Sequence, residues 1–80
     1  MRVVVEYIFK VRDGAYHKVA GFEADAIFFT DEEKKVTIWQ GEEGFTFKVD
    51  DKEYERAKTE MLKGSDVIVI RKAEWLGSVV

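Results

Sequence analysis

The chain has 80 residues, a net charge of −3 and no cysteine. Disulfides, thiolate zinc sites and cysteine nucleophiles are therefore excluded, and the acidic balance argues against a general nucleic-acid binder. We expect one domain over residues 1–80 in a reducing cytoplasm, because small secreted domains usually depend on disulfides. No apolar run of about 18 residues is present, so we expect no membrane-spanning segment.

Thermolabile side chains are almost absent from the sequence. It contains no Asn, Cys or Pro, its single glutamine is Gln40, and charged residues make up 36% of the chain. Depletion of these residues together with abundant Lys and Glu is typical of proteins from hyperthermophiles. We therefore expect a thermophilic origin, although the lack of proline is not part of that pattern and a designed sequence could share this composition.

Residues 2–12 alternate apolar and polar side chains, which predicts a strand. Asp13-Gly14 suits a type I′ turn, so residues 15–24 should return as the second strand, with Phe9 opposite Lys18. One face of this hairpin is apolar and is expected to receive the helix; it carries Val5, Tyr7, Phe9 and Phe22. The other face places Val4, Ile8 and Val19 among charged residues.

A second hairpin is predicted over residues 26–30 and 35–40, followed by a strand over residues 45–49. Alternation places one apolar set on a common face: Ile27, Phe29, Val36, Ile38, Phe47 and Val49. Phe28 and Trp39 fall on the opposite face, beside polar residues. Two large aromatic side chains on a polar face are candidates for a binding surface, because aromatics dominate interface hot spots; the alternative is that the apolar tail covers them.

Residues 51–63 are predicted to form the one helix. Asp50 can cap it, with Glu53 in capping-box spacing, and Gly64 suits a left-handed C-terminal position. The apolar stripe consists of Tyr54, Ala57, Met61 and Leu62. The run from 67 to 70 predicts a central strand buried on both faces. The apolar tail from Trp75 to Val80 is expected to dock on the domain or on a partner.

The predicted elements define an α+β fold of order β-β-β-β-β-α-β. It is a mostly antiparallel sheet of about six strands with one amphipathic helix packed on one face.

No constellation of residues predicts catalysis. His17 is the only histidine, and the pattern places no serine or carboxylate beside it. The acidic groups lack the spacing of a calcium loop, and Gly41–Gly44 lacks the residues of a phosphate loop. We therefore expect a protein that is not an enzyme, with no cofactor and no metal site.

Two stretches resemble the central strand pair of a gelsolin/villin repeat: DAIFFTD at 25–31 and VTIWQG at 36–41. ERAK at 55–58 and VIVI at 67–70 are similar to the next helix and strand of that repeat. The resemblance covers about half the chain and departs from the family where residues 45–49 intervene before the helix. It implies that Asp25 and Glu55 correspond to calcium-binding carboxylates and that the domain binds actin-like filaments.

The leading functional hypothesis is a non-enzymatic protein-interaction module, expected to form a homodimer through the sheet face that the helix does not cover. Its expected partner-binding residues are Val4, Ile8, Val19, Phe28, Trp39 and Trp75. The alternatives are an enzyme of unrecognised type and a nucleic-acid-associated protein. The latter would use the basic edge of the first hairpin: Arg2, Lys10, Arg12, His17 and Lys18.

Overall fold

A computed structural model describes residues 1–79; Val80, the last residue of the predicted tail, lies outside them. The elements are β1 (Arg2–Val11), β2 (Gly14–Glu23), β3 (Ala26–Thr30), β4 (Lys35–Gln40), β5 (Glu43–Lys48), α1 (Asp51–Leu62) and β6 (Val67–Val79). All six strands join one sheet in the order β2-β1-β6-β5-β4-β3. Every neighbouring pair is antiparallel except β1 and β6. The predicted α+β fold and element order are confirmed.

The first hairpin has a different register from the predicted one. Arg12 and Asp13 form its two-residue loop, so Phe9 lies opposite Tyr16 rather than Lys18. The observed and predicted registers differ by two residues, which leaves every side chain on its predicted face. Facial alternation therefore cannot distinguish them. The observed register stacks the Phe9 and Tyr16 rings at 5.7 Å between centroids.

The helix begins as predicted. The Asp50 carboxylate accepts a hydrogen bond from the backbone N–H of Glu53 at 2.9 Å, which satisfies one of the free donors of the first turn. Tyr54 and Ala57 are fully buried. Leu62 does not belong to the buried stripe, because it is the last residue of the helix and 73% of it is exposed. Within residues 1–79, no helix has the length and hydropathy needed to cross a bilayer.

Strand β6 includes the segment that the sequence suggested was a docking tail. Residues up to Val79 lie inside the sheet, paired with β5 from Glu74 onwards. Val67 is 48% exposed, so the predicted burial of residues 67–70 on both faces is wrong. The reason is that α1 covers one face of the sheet. On the edge that β5 does not reach, Arg56 donates a hydrogen bond to the carbonyl of Val69 at 2.8 Å.

The sheet is strongly coiled, because its two edge strands are consecutive in the chain. In a flat sheet β2 and β3 would lie about 24 Å apart, yet only Ala24 and Asp25 join them. Ala24 donates its N–H to the carbonyl of Met1 at 2.7 Å, and Asp25 donates to that of Trp39 at 2.8 Å. The helix and the core therefore occupy the concave side, as in a partly closed barrel. The fully buried core residues include Val3, Val5, Val36, Ile38, Phe47, Tyr54, Ile68 and Ile70.

Candidate functional site

The helix fills only one end of the concave side, and the other end is open. An open cavity of about 420 Å³, which we call the mouth groove, lies there. Its lining is Tyr7, Phe9, Lys18, Ala20, Phe22, Phe45 and Trp75. This volume lies within the range of small-molecule and side-chain binding pockets, and barrel mouths are common positions for such sites. The mouth groove is therefore a candidate binding site.

The walls of the mouth groove are aromatic rings in mutual contact. Trp75 lies 5.8 Å from Tyr7 and 6.0 Å from Phe45, measured between ring centroids. Phe22 lies 5.0 Å from Phe45, a contact that coiling of the sheet makes possible, because β2 and β5 are three strands apart. Phe47 packs against Trp75 at 5.3 Å and is fully buried. Because the rings support one another, the groove is preformed.

A second opening adjoins the mouth groove. The pairing between β1 and β6 ends at Ile8 and Glu74, whereas β1 continues to Val11 and β6 continues to Val79. The strands therefore diverge, and a cavity of about 450 Å³ lies where they separate. We call this opening the β1–β6 cleft; it is lined by Ile8, Lys10, Lys72, Ala73, Glu74 and Trp75. Trp75 lines both cavities, which therefore adjoin at this residue and together make up the candidate binding surface.

This surface is rimmed by positive charge in an acidic protein. Lys18 lines the mouth groove, and Lys10 and Lys72 line the cleft, where Glu74 is the only carboxylate. None of these lysines has an ion-pair partner within residues 1–79. On the helix side, in contrast, Lys34 and Lys58 pair with Glu55 and Asp31. The rim therefore carries cations that are free to meet an anionic partner.

The predicted partner-binding residues are divided between the two sides of the sheet. Val4, Ile8, Val19, Phe28 and Trp39 lie on the convex side, which we call the open face. Trp75 lies on the concave side with Tyr7 and Phe47. The structure thus separates Trp75 from Val4, Val19, Phe28 and Trp39, whereas Ile8 lines the β1–β6 cleft together with Trp75.

The apolar residues of the open face do not form one patch. Strands β6 and β5 lie between β1 and β4, so Ile8 and Trp39 are separated by three strand spacings, about 14 Å. Val19 and Phe28 are 65% and 58% exposed and lie on the two edge strands, β2 and β3. Trp39 packs flat on Gly44, where an added Cβ would lie 3.1 Å from its ring. Trp39 is therefore half-buried against the sheet at Gly44, which pairs on its other side with Val79 of the predicted tail.

The prediction that the helix satisfies the apolar face of the first hairpin is wrong for three of the four residues named there. Tyr7, Phe9 and Phe22 line the open mouth groove. One feature of the sequence indicated that part of this face would stay uncovered. A helix of 12 residues is only about 18 Å long and cannot cover strands of ten residues. What the sequence could not show is that the sheet coils and that Trp75 joins this cluster from a central strand.

A polar network outside the two cavities has a structural role. The Tyr54 hydroxyl donates a hydrogen bond to Asp31, which also accepts one from Lys58 at 2.8 Å. The hydrogen bond from Lys58, and then that from Tyr54, lower the pKa of the Asp31 carboxyl. Burial, and then Asp31, raise the pKa of Tyr54. These contacts fasten the β3–β4 turn to α1. His17 is exposed on β2, where it lies opposite Ile8 of β1.

The two carboxylates suggested by the gelsolin-like pattern do not converge. Asp25 precedes β3 and accepts a hydrogen bond from the N–H of Gly41 at 2.5 Å. Glu55 pairs with Lys34, which follows the other end of β3, at 3.6 Å. The five residues of β3 separate these positions by about 17 Å. Within residues 1–79, no group of three His, Asp or Glu side chains is arranged to hold a metal ion.

Comparison with protein-family models, curated proteins and solved structures finds no match to this chain. Function is therefore inferred from the geometry of the mouth groove, the β1–β6 cleft and the lysines at their rim.

Proposed function

We propose that the protein is a non-enzymatic interaction module and that the mouth groove is its main partner-binding surface. The observation that carries the proposal is a preformed groove of contacting aromatic rings, left open because the helix fills only the far end of the concave side. Aromatic anchors in such pockets supply most of the binding energy of protein interfaces. A bulky apolar side chain of a partner protein is the ligand that the groove suits best.

The chemistry of the groove favours binding over catalysis. Its ionisable side chains are Tyr7, which is buried, and Lys18 at the rim. Catalysis by a nucleophile or by general acid–base transfer needs groups within hydrogen-bonding reach of each other. No such pair involving Lys18 or His17 exists among the hydrogen bonds of residues 1–79.

A second candidate function is binding of single-stranded nucleic acid. The tip of the first hairpin carries Lys10, Arg12 and Lys18 beside Tyr16, which is 57% exposed and stacked on Phe9. Exposed rings next to cations form stacking platforms for bases. Few phosphates could be neutralised here, so such binding would be weak and sensitive to salt.

Three finer properties belong to the same proposal. The protein works in a cytoplasm, because it lacks the cysteines on which small secreted domains depend. It comes from a thermophile, because its composition avoids labile residues. It also self-associates, because Val19 and Phe28 leave apolar area exposed on the open face.

The proposal is tested by filling the groove without disturbing the core. Ala20 is half-buried in the groove wall, so Ala20→Phe places a ring in the space that a partner would occupy. Ala15→Phe is the matched control, since it makes the same change at an exposed residue on the other side of β2. Affinity capture from the native host with mass spectrometry should identify proteins that Ala15→Phe retains and Ala20→Phe loses. Capture of the same proteins by both variants would remove the groove from the proposal.

A further inference from the structure

Among residues 1–79, two backbone edges are left without strand partners beside the mouth groove. Beyond Glu74, β6 is paired with β5 on one side only, through residues 75–79. Beyond Ile8, β1 is paired with β2 on one side only, through residues 9–11. Backbone N–H and C=O groups on such an edge are a template for another strand. The free edge of β6 borders Trp75 and therefore both cavities.

We propose that the partner binds as an extended segment that adds a β-strand to the free edge of β6 within the β1–β6 cleft. The segment alternates apolar and acidic side chains. This inference rests on the proposed function and names the kind of partner: a protein segment in β conformation rather than a helix or a folded surface. Strand addition takes its affinity from backbone hydrogen bonds and its specificity from pockets for alternate side chains.

The geometry of the cleft accounts for the alternation. A strand beside residues 75–79 runs about 16 Å, which corresponds to five residues of partner. Successive side chains of a strand point to opposite faces. Every second side chain would therefore turn to the concave side, where Trp75 and the mouth groove lie, and these positions favour bulky apolar residues.

The positive charge of the cleft and the rim favours acidic side chains in the bound segment. Lys10 and Lys72 line the cleft and Lys18 lies at the rim of the groove, against the single carboxylate of Glu74. Because these lysines have no ion-pair partners within residues 1–79, acidic side chains of the segment can meet them without displacing an internal contact. A basic segment would bring like charges together, which disfavours it.

The test begins with selection of random twelve-residue peptides displayed on phage against the immobilised 80-residue protein. Peptides that bind wild type but not Ala20→Phe are then synthesised. Binding is measured in a Trp39→Phe background, which leaves Trp75 as the only tryptophan reporter. We expect selected sequences to alternate apolar and acidic residues. Single N-methylation along the peptide should weaken binding at least tenfold at every second position, because only alternate N–H groups face β6.

Two further measurements locate the peptide. Hydrogen exchange should show new protection of amides in Leu76–Val79 when the peptide binds. Lys10→Glu should weaken binding at least tenfold, whereas Lys52→Glu, the same charge change on exposed helix surface, should leave it within twofold. Loss of these effects, or selection of helical or proline-rich peptides that still depend on the groove, would overturn strand addition and leave the proposed function standing.

Two other outcomes would bear on the proposed function as well as on strand addition. If no selected peptide distinguishes wild type from Ala20→Phe, both the strand and the groove proposals are wrong. A fifteen-residue oligothymidylate provides the nucleic-acid arm of the test. If it quenches Trp75 fluorescence at lower concentration than any selected peptide and displaces those peptides, the surface binds single-stranded nucleic acid and strand addition is refuted.

Discussion

Phe47 links the core to the mouth groove, and its removal should be among the most damaging changes in the protein. Its ring is fully buried and contacts Tyr7 at 5.1 Å, Phe22 at 6.1 Å and Trp75 at 5.3 Å. Phe→Ala in a core costs about 3–5 kcal/mol. Loss of three aromatic pairs places Phe47→Ala at the upper end of that range, at about 4–5 kcal/mol.

This cost converts into a large shift of the melting temperature. An unfolding entropy of about 2.1 cal/mol/K per residue gives about 0.17 kcal/mol/K for a chain of this length. Phe47→Ala should therefore lower the Tm by about 25–30 °C in a thermal melt followed by circular dichroism. Phe28→Ala is the matched control, because the same atoms are removed from a side chain that is 58% exposed; it should change stability by less than about 0.5 kcal/mol. Equal shifts for the two variants would refute the assignment of Phe47 to the core.

The remaining predictions concern the whole chain, the β3–β4 turn and self-association. The wild-type Tm should exceed about 80 °C, and a reversible melt near 50 °C would contradict the thermophilic composition argument. Asp31 has its pKa lowered by the hydrogen bonds from Lys58 and Tyr54, so its stabilising effect is present above the ordinary carboxyl pKa and is lost as the pH falls through the lowered value. Asp31→Asn should therefore reduce the loss in free energy of unfolding as the pH falls into the acid range. An unchanged pH dependence would show that this contact is not made in solution. Light scattering should detect a dimer at high micromolar concentration that is weakened by Ile8→Glu or Trp39→Glu; a wild-type monomer there would remove the homodimer.

The side on which each residue of the first five strands lies was predictable, because alternation with a period of two fixes it. Ile27, Ile38 and Phe47 share the concave side as expected, and Phe28 and Thr37 share the open face. The register of the first hairpin was not predictable in the same way. A shift of two residues preserves both faces, so only the loop geometry and the Phe9–Tyr16 contact separate the two registers.

The candidate site was harder to predict because it depends on where strands sit in the sheet. Trp75 lies eight residues after Val67 and begins the apolar stretch of residues 75–80. That position is compatible with a docking tail. Only the insertion of β6 between β1 and β5 brings Trp75 against Tyr7 and Phe47. Such non-local neighbours are not recorded in any local periodicity.

The open groove and the open strand edges have a common origin in β6. The first half of this 13-residue strand, residues 67–74, pairs with β1, and the second half, residues 74–79, pairs with β5. The pairing of β6 with β1 itself contains a register shift between Ile70 and Ala73, and Lys72 within it has a φ of 57°, which is unfavourable for a residue with a side chain. The helix reaches only the free edge of the first half, where Arg56 bonds to the carbonyl of Val69. The second half has no such cover, and this is the half that carries Trp75. The offset between the two pairings of β6 therefore leaves a strand edge and an aromatic groove side by side at one end of the sheet.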